Sequence, residues 1–131
     1  MGKMQWVQRN RLSRAVVALL MSLVAGAAFA GPVVQDIEFS SKSGGKFEVR
    51  LEFNETPPDF KIYAIEKPAR IAVDFLGTSS SLDQKRYSLP YGNANKAVVL
   101  ESGDRTRLVV ELVKLVPYET RVKGNSLFLI V

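Results

Sequence analysis

The 131-residue chain contains no histidine and no cysteine. Imidazole bases, Ser-His-Asp arrangements, thiol nucleophiles and the nitrogen and sulfur ligands of zinc are therefore missing from its chemistry. Carboxylates remain, and Glu48, Glu52 and Glu55 lie close enough in sequence to suggest an acid/base group of the glycosidase kind. Glu48 and Glu52, however, alternate with Phe47, Val49, Leu51 and Phe53, which points them outward from a strand. Nothing nearby marks a cleft that would raise a carboxyl pKa. A phosphate loop is absent too, because Ser43-Gly44-Gly45 has the composition of a hairpin turn and lacks the glycine-and-lysine spacing of a nucleotide site. The chain reads as non-catalytic, with no cofactor and no metal.

Binding chemistry is better represented. A ligand surface built on a sheet would use exposed aromatic rings and the planar donor fork of arginine. Tyr63, Tyr87, Tyr91 and Tyr118 supply the rings, and Arg50, Arg70, Arg105, Arg107 and Arg121 the forks. From these, Arg50, Arg70, Tyr87, Arg105, Arg107, Tyr118 and Arg121 form the candidate ligand-binding set. Each has an ordinary structural alternative: a tyrosine at a strand end packs its ring, and an outward arginine pairs with a nearby carboxylate at little net gain. Arg70 and Asp74 share a face but lie ~13 Å apart along a strand, so each must find its partner on a neighbouring strand. Arg107 and Glu111 are the candidates for that role.

The elements that would position these side chains are strands. Pro68–Phe75 alternates Ile71, Val73 and Phe75 with Arg70, Ala72 and Asp74, giving one core face and one accessible face. Phe47–Phe53 alternates in the same way, and so does Arg105–Leu112, where Leu108, Val110 and Leu112 mark the inner side. Further strands are expected at Val33–Phe39 (with Val33, Gln35, Ile37 and Phe39 on one side), Phe60–Ile65, Arg86–Leu89, Ala97–Glu101, Tyr118–Val122 and Leu127–Val131. Turn signals punctuate them: Thr56-Pro57-Pro58-Asp59, Glu66-Lys67-Pro68, Tyr91-Gly92-Asn93-Ala94, Ser102-Gly103-Asp104 and Gly124-Asn125. Gly77–Asp83, rich in serine, is the longest polar loop. Many short strands and no convincing 3.6-residue period predict an all-β, antiparallel β-sandwich, with a partly open barrel as the other architecture that fits.

The first thirty residues have a different composition. Lys3, Arg9, Arg11 and Arg14 precede an apolar run from Ala15 to Ala25, and Ala28-Phe29-Ala30 places small residues where a signal peptidase reads. Residues 1–30 are therefore expected to be a signal peptide cut between Ala30 and Gly31, and residues 31–131 the single mature domain. The leader also accounts for the formal charge of +5, because beyond it 14 basic residues face 13 acidic ones. A nucleic-acid footprint would have to belong to the folded domain, so no nucleic-acid partner is expected. Without cysteine there is no disulfide, although an exported protein would reach a compartment that permits one.

Several stretches also carry a resemblance. Pro68–Phe75 (P-A-R-I-A-V-D-F), Arg105–Leu112 (R-T-R-L-V-V-E-L) and Leu115–Leu129 (L-V-P-Y-E-T-R-V-K-G-N-S-L-F-L) resemble an AMIN domain. More narrowly, Val33–Ser40 (V-V-Q-D-I-E-F-S) and Val49–Pro58 (V-R-L-E-F-N-E-T-P-P) are similar to the first AMIN domain of type IV pilus secretins. The resemblance covers nearly the whole mature chain. It implies a periplasmic β-sandwich that binds peptidoglycan and helps to position an outer-membrane secretin for pilus assembly and protein secretion. Other secretin domains or subunits and pilus accessory lipoproteins are the implied protein partners. Two alternatives stay open: the septal-targeting AMIN region of an N-acetylmuramoyl-L-alanine amidase without its catalytic domain, and a protein–protein docking module of the pilus machinery. The chain stops at Val131, before any pore-forming or zinc domain, so it is expected to be a fragment or a truncated product.

The strand facing can be tested by mutation. Leu108→Asp, which puts an unpaired charge into the core, is expected to abolish the folded β signal in far-ultraviolet circular dichroism. On the same reading Arg107 points outward, and its replacement by alanine is expected to leave folding nearly intact.

Overall fold

The computed structural model describes residues 31–131. The signal peptide expected at residues 1–30, with Ala28 and Ala30 of its expected cleavage site, lies outside the described residues. The described residues form ten strands: β1 (Val33–Ser41), β2 (Phe47–Phe53), β3 (Phe60–Ile65), β4 (Arg70–Leu76), β5 (Ser79–Ser80), β6 (Arg86–Ser88), β7 (Ala94–Ser102), β8 (Arg105–Leu112), β9 (Glu119–Lys123) and β10 (Ser126–Ile130). They make two five-stranded sheets, ordered β5-β1-β2-β10-β9 and β3-β4-β8-β7-β6. No strand is shared between the sheets, so the architecture is the sandwich rather than the barrel.

Alternation decides which side chains are buried. In the first sheet Phe47, Val49, Leu51 and Phe53 of β2 all point inward, and β10 sets Leu127 beside Leu51 and Leu129 beside Val49. In the second sheet β4 contributes Ile71, Val73 and Phe75, matched across β8 by Val110, Leu108 and Thr106. The two inner faces meet edge-on at Phe53 and Phe75, whose ring centroids are 5.2 Å apart. One side of the sandwich is closed by Phe39 against Tyr87 at 5.5 Å, and Tyr91 stacks on Phe47 at 5.3 Å. Burying each large side chain of this core contributes about 1.5–3 kcal/mol. Gly31–Val131 thus has a self-contained core and forms one unit.

Two departures from simple alternation matter. β1 carries a bulge between Val34 and Asp36, which adds one residue to its side of the ladder. Val34 is thereby fully buried, Ile37 and Phe39 are inward and partly buried, Gln35 is exposed and Val33 is half-buried. The expected inner row of Val33, Gln35, Ile37 and Phe39 is correct only beyond the bulge. The serine loop also holds β5, which pairs in parallel with β1 and makes the one parallel ladder among the described residues. The loop before β2 is a single 3-10 turn, Ser43–Gly45, where both glycines take positive φ (79° and 74°). Leu108 sits at the centre of the inner face of β8, as the alternation requires.

Candidate functional site

The near-neutral stretch from Gly31 to Val131 is electrically divided by its topology. Residues that alternate with the core face outward, and on the second sheet these include Lys61, Arg70, Arg86, Lys96, Arg105 and Arg107 against only Asp74 and Glu111. On the first sheet the outward acids are Asp36, Glu38, Glu48, Glu52 and Glu119, against Arg50, Arg121 and Lys123. One broad face is therefore basic and the other acidic. Net charge counted along the chain cannot reveal this, because strand order assigns the residues to their sheets.

The basic face is also partly apolar. Tyr63 (46% exposed), Leu76 (50%) and Leu100 (45%) stand out from it. Register places them around one centre: Lys61 and Arg107 lie opposite Asp74 on its two sides, Leu100 lies opposite Arg107, and Leu76 opposite Arg105. Tyr63, Ala72, Val109 and Val98 make the next row across the sheet.

At that centre Asp74 is an anomaly, a carboxylate only 4% exposed on the outer side of a sheet. Arg107 makes it tolerable. Its Nε donates to Oδ1 at 2.5 Å and its Nη2 to Oδ2 at 2.8 Å, a two-pronged pair, while Arg105 Nη1 stands 3.7 Å from Oδ2. The hydrogen bonding from Arg107 holds the Asp74 carboxyl below its ordinary value of 3.8; burial opposes this, and the charges of Arg107, Arg105 and Lys61 assist it. Reciprocally, the hydrogen bond to Asp74 raises the pKa of Arg107.

The seven candidate residues do not converge. Arg70, Arg105 and Arg107 share the basic face. Arg50 and Arg121 lie on the opposite face, where Arg50 pairs with Glu38 at 2.9 Å and Asp36 at 3.7 Å, and Arg121 lies 5.7 Å from the centre of the Phe128 ring. Tyr87 turns its ring inward, and its hydroxyl donates to the Gln84 carbonyl at 2.6 Å. Burial, with Asp36 and Asp83 nearby, pushes that phenol's pKa up. Tyr118 lies in the segment before β9 and lines a shallow depression with Lys46, Pro117, Glu119, Ile130 and Val131.

Of the two expected cross-strand partners, Arg107 pairs with Asp74, but Glu111 does not pair with Arg70. Glu111 lies 3.3 Å from Lys96 instead, and Arg70 Nε is buried without a hydrogen-bond partner among the described residues. Glu48 is buried rather than solvated, with Lys42 Nζ 3.1 Å from its Oε2 but out of hydrogen-bond alignment. Lys61, Leu76 and Leu100 are additions that sequence reasoning did not select. Val98-Val99-Leu100 is apolar on both sides, so alternation alone does not single out Leu100 as exposed.

This geometry changes the expectation for Arg107. Alanine at that position leaves a buried carboxylate with only Arg105 and Lys61 nearby, and is expected to cost about 1–3 kcal/mol in urea unfolding rather than nothing. The sign of the pH effect also follows. Because the folded-state pKa of Asp74 is depressed, the pair's contribution is complete above about pH 4 and is lost as pH falls through the folded value. Asp74→Asn is expected to flatten the fall in unfolding free energy below about pH 4 relative to the unmodified protein; parallel curves would contradict the pairing.

Comparison with known proteins places the chain in a family. Residues 36–130 match the AMIN domain model. The chain is 39% identical over 120 residues to the fimbrial assembly protein PilQ of Pseudomonas aeruginosa, covering 92% of this chain and 17% of that protein. It is 26% identical over 122 residues to the type IV pilus biogenesis and competence protein PilQ of Neisseria gonorrhoeae, covering 93% of this chain and 17% of that protein. The PilQ of Neisseria meningitidis serogroup B is likewise 26% identical over 122 residues, or 93% of this chain and 16% of the relative. The chain thus spans about a sixth of the length of these relatives. No solved structure matches it. With the family model covering nearly all of the sandwich, the chain belongs to the AMIN domain family.

Proposed function

We propose that this domain is a non-catalytic peptidoglycan-binding module of a type IV pilus secretin, which anchors the parent protein in the periplasm and so supports its positioning in the outer membrane. The observation that carries the reading is the outer face of β3-β4-β8-β7-β6, where six basic residues surround the exposed Tyr63, Leu76 and Leu100. Peptidoglycan is a polymer with many copies of one anionic repeat, and a shallow basic surface suits it. Weak single-site binding is multiplied when several sites engage the same polymer. Similarity to the PilQ proteins, two of which are named for type IV pilus biogenesis and competence, supports assignment to a pilus secretin. Export through the leader, with cleavage between Ala30 and Gly31, belongs to the same proposal.

A second reading has its own support. Tyr118 and Val122 are exposed along the free edge of β9, which suits docking of a pilus lipoprotein or a neighbouring secretin subunit.

The experiment is co-sedimentation of purified Gly31–Val131 with insoluble sacculi. The module is expected to pellet with sacculi, less so as salt rises, since exposed charges are screened over about 8 Å at physiological ionic strength. No enrichment over an unrelated domain at physiological salt would count against this reading and leave β9-edge docking in its place.

A further inference from the structure

The basic face offers a ligand hydrogen-bond donors and almost no acceptors. Arginine and lysine carry N–H groups only. The two carboxylates on the face are already engaged, Asp74 by Arg107 and Arg105, and Glu111 by Lys96. Among its outward positions the only side-chain amide is Asn95, exposed in the bulge of β7 at the margin, and hydroxyls occur on Tyr63 and on Ser88 and Ser102 near its margins. Sugar hydroxyls both donate and accept, so a glycan strand lying here would leave its donors unmatched. Flat rings on which a sugar could stack reduce to Tyr63 alone. A carboxylate only accepts, and this face matches it.

The match is most specific around Asp74. Arg107 uses Nε and Nη2 on that carboxylate, which fixes the guanidinium plane and leaves Nη1 without a partner among the described residues. Arg105 approaches the same carboxylate only at 3.7 Å, so its donors are scarcely committed. Both side chains are 43% exposed, and they are flanked in register by Leu100 and Leu76. The geometry points to a carboxylate subsite: the solvent-facing edges of Arg105 and Arg107 take a carboxylate of the peptidoglycan stem peptide, whose methyl-bearing residues lie against Leu76 and Leu100. This rests on the peptidoglycan reading and adds which part of the polymer is recognised, the peptide and not the sugar chain. Asp74 supports the subsite from beneath, where its charge keeps two like-charged guanidinium groups side by side.

The test compares three solids with the same protein, Gly31–Val131: intact sacculi, sacculi whose carboxyls have been activated with a carbodiimide and capped as neutral amides by excess ammonia, and chitin, which has a β-linked N-acetylglucosamine backbone without peptide. Binding to intact sacculi is expected to be at least about tenfold tighter than to capped sacculi or chitin, as for loss of a charge-assisted pair. Arg105→Ala, whose side chain supports no other described contact, is expected to bring intact sacculi down to the capped level while leaving the urea midpoint in place. Equal binding to intact and capped sacculi, or full binding by Arg105→Ala, would overturn the carboxylate subsite and leave the peptidoglycan reading standing. Failure to bind intact sacculi at all would overturn both.

Discussion

Across the middle of the second sheet Val73 faces Leu108, and one residue further along Asp74 faces Arg107. The first pair belongs to the core and the second to the outer surface, and the same backbone register sets both. Side chains alternate with a period of two, so a slip of one residue between β4 and β8 would present Arg107 to the core and Leu108 to water. The apolar pair makes that slip costly on one side, and the two-pronged ion pair makes it costly on the other. Fold and surface are thus held by one constraint. The buried carboxylate opposes its own desolvation only because Arg107 meets it with two donors, and this argues for a pair set by register rather than by chance proximity.

A consequence is that the domain has two unlike faces. Strand order gathers basic residues on β3, β4, β8, β7 and β6, and acidic ones mainly on β1 and β2. A binding surface needs no net charge on the chain for this; it needs the charges sorted. The basic side also keeps its exposed apolar side chains next to its arginines, so the proposed ligand, with both carboxylates and methyl groups, would find both partners within one sheet. The acidic side largely neutralises its arginine internally, as Arg50 shows with Glu38 and Asp36.

Much of this fold was legible in the residues. β2, β4 and β8 read as strands with the correct inner faces because each alternates without interruption, and the sandwich followed from their number and spacing. β1 was legible as a strand but not in its facing, since nothing local in Val33-Val34-Gln35 marks the bulge that buries Val34. β5 is two serines whose pairing with β1 is a tertiary event. The candidate surface was legible only in part. Arg105 and Arg107 stood out by type, and the pairing of Arg107 with Asp74 could be anticipated from parity. Their separation from Arg50 and Arg121 depends on which sheet each strand joins, which no local pattern encodes. Tyr87 was selected for its ring, but that ring is spent on Phe39.

The central claim is that the outer face of the second sheet is the working face. Chemical-shift mapping tests it most directly, with soluble muropeptides titrated into isotopically labelled Gly31–Val131. The account predicts saturable shifts at Tyr63, Leu100, Arg105 and Arg107, while Arg50, Arg121 and Phe128 on the opposite face stay unmoved. Shifts clustered instead at Arg50, Arg121 and Phe128 would contradict it.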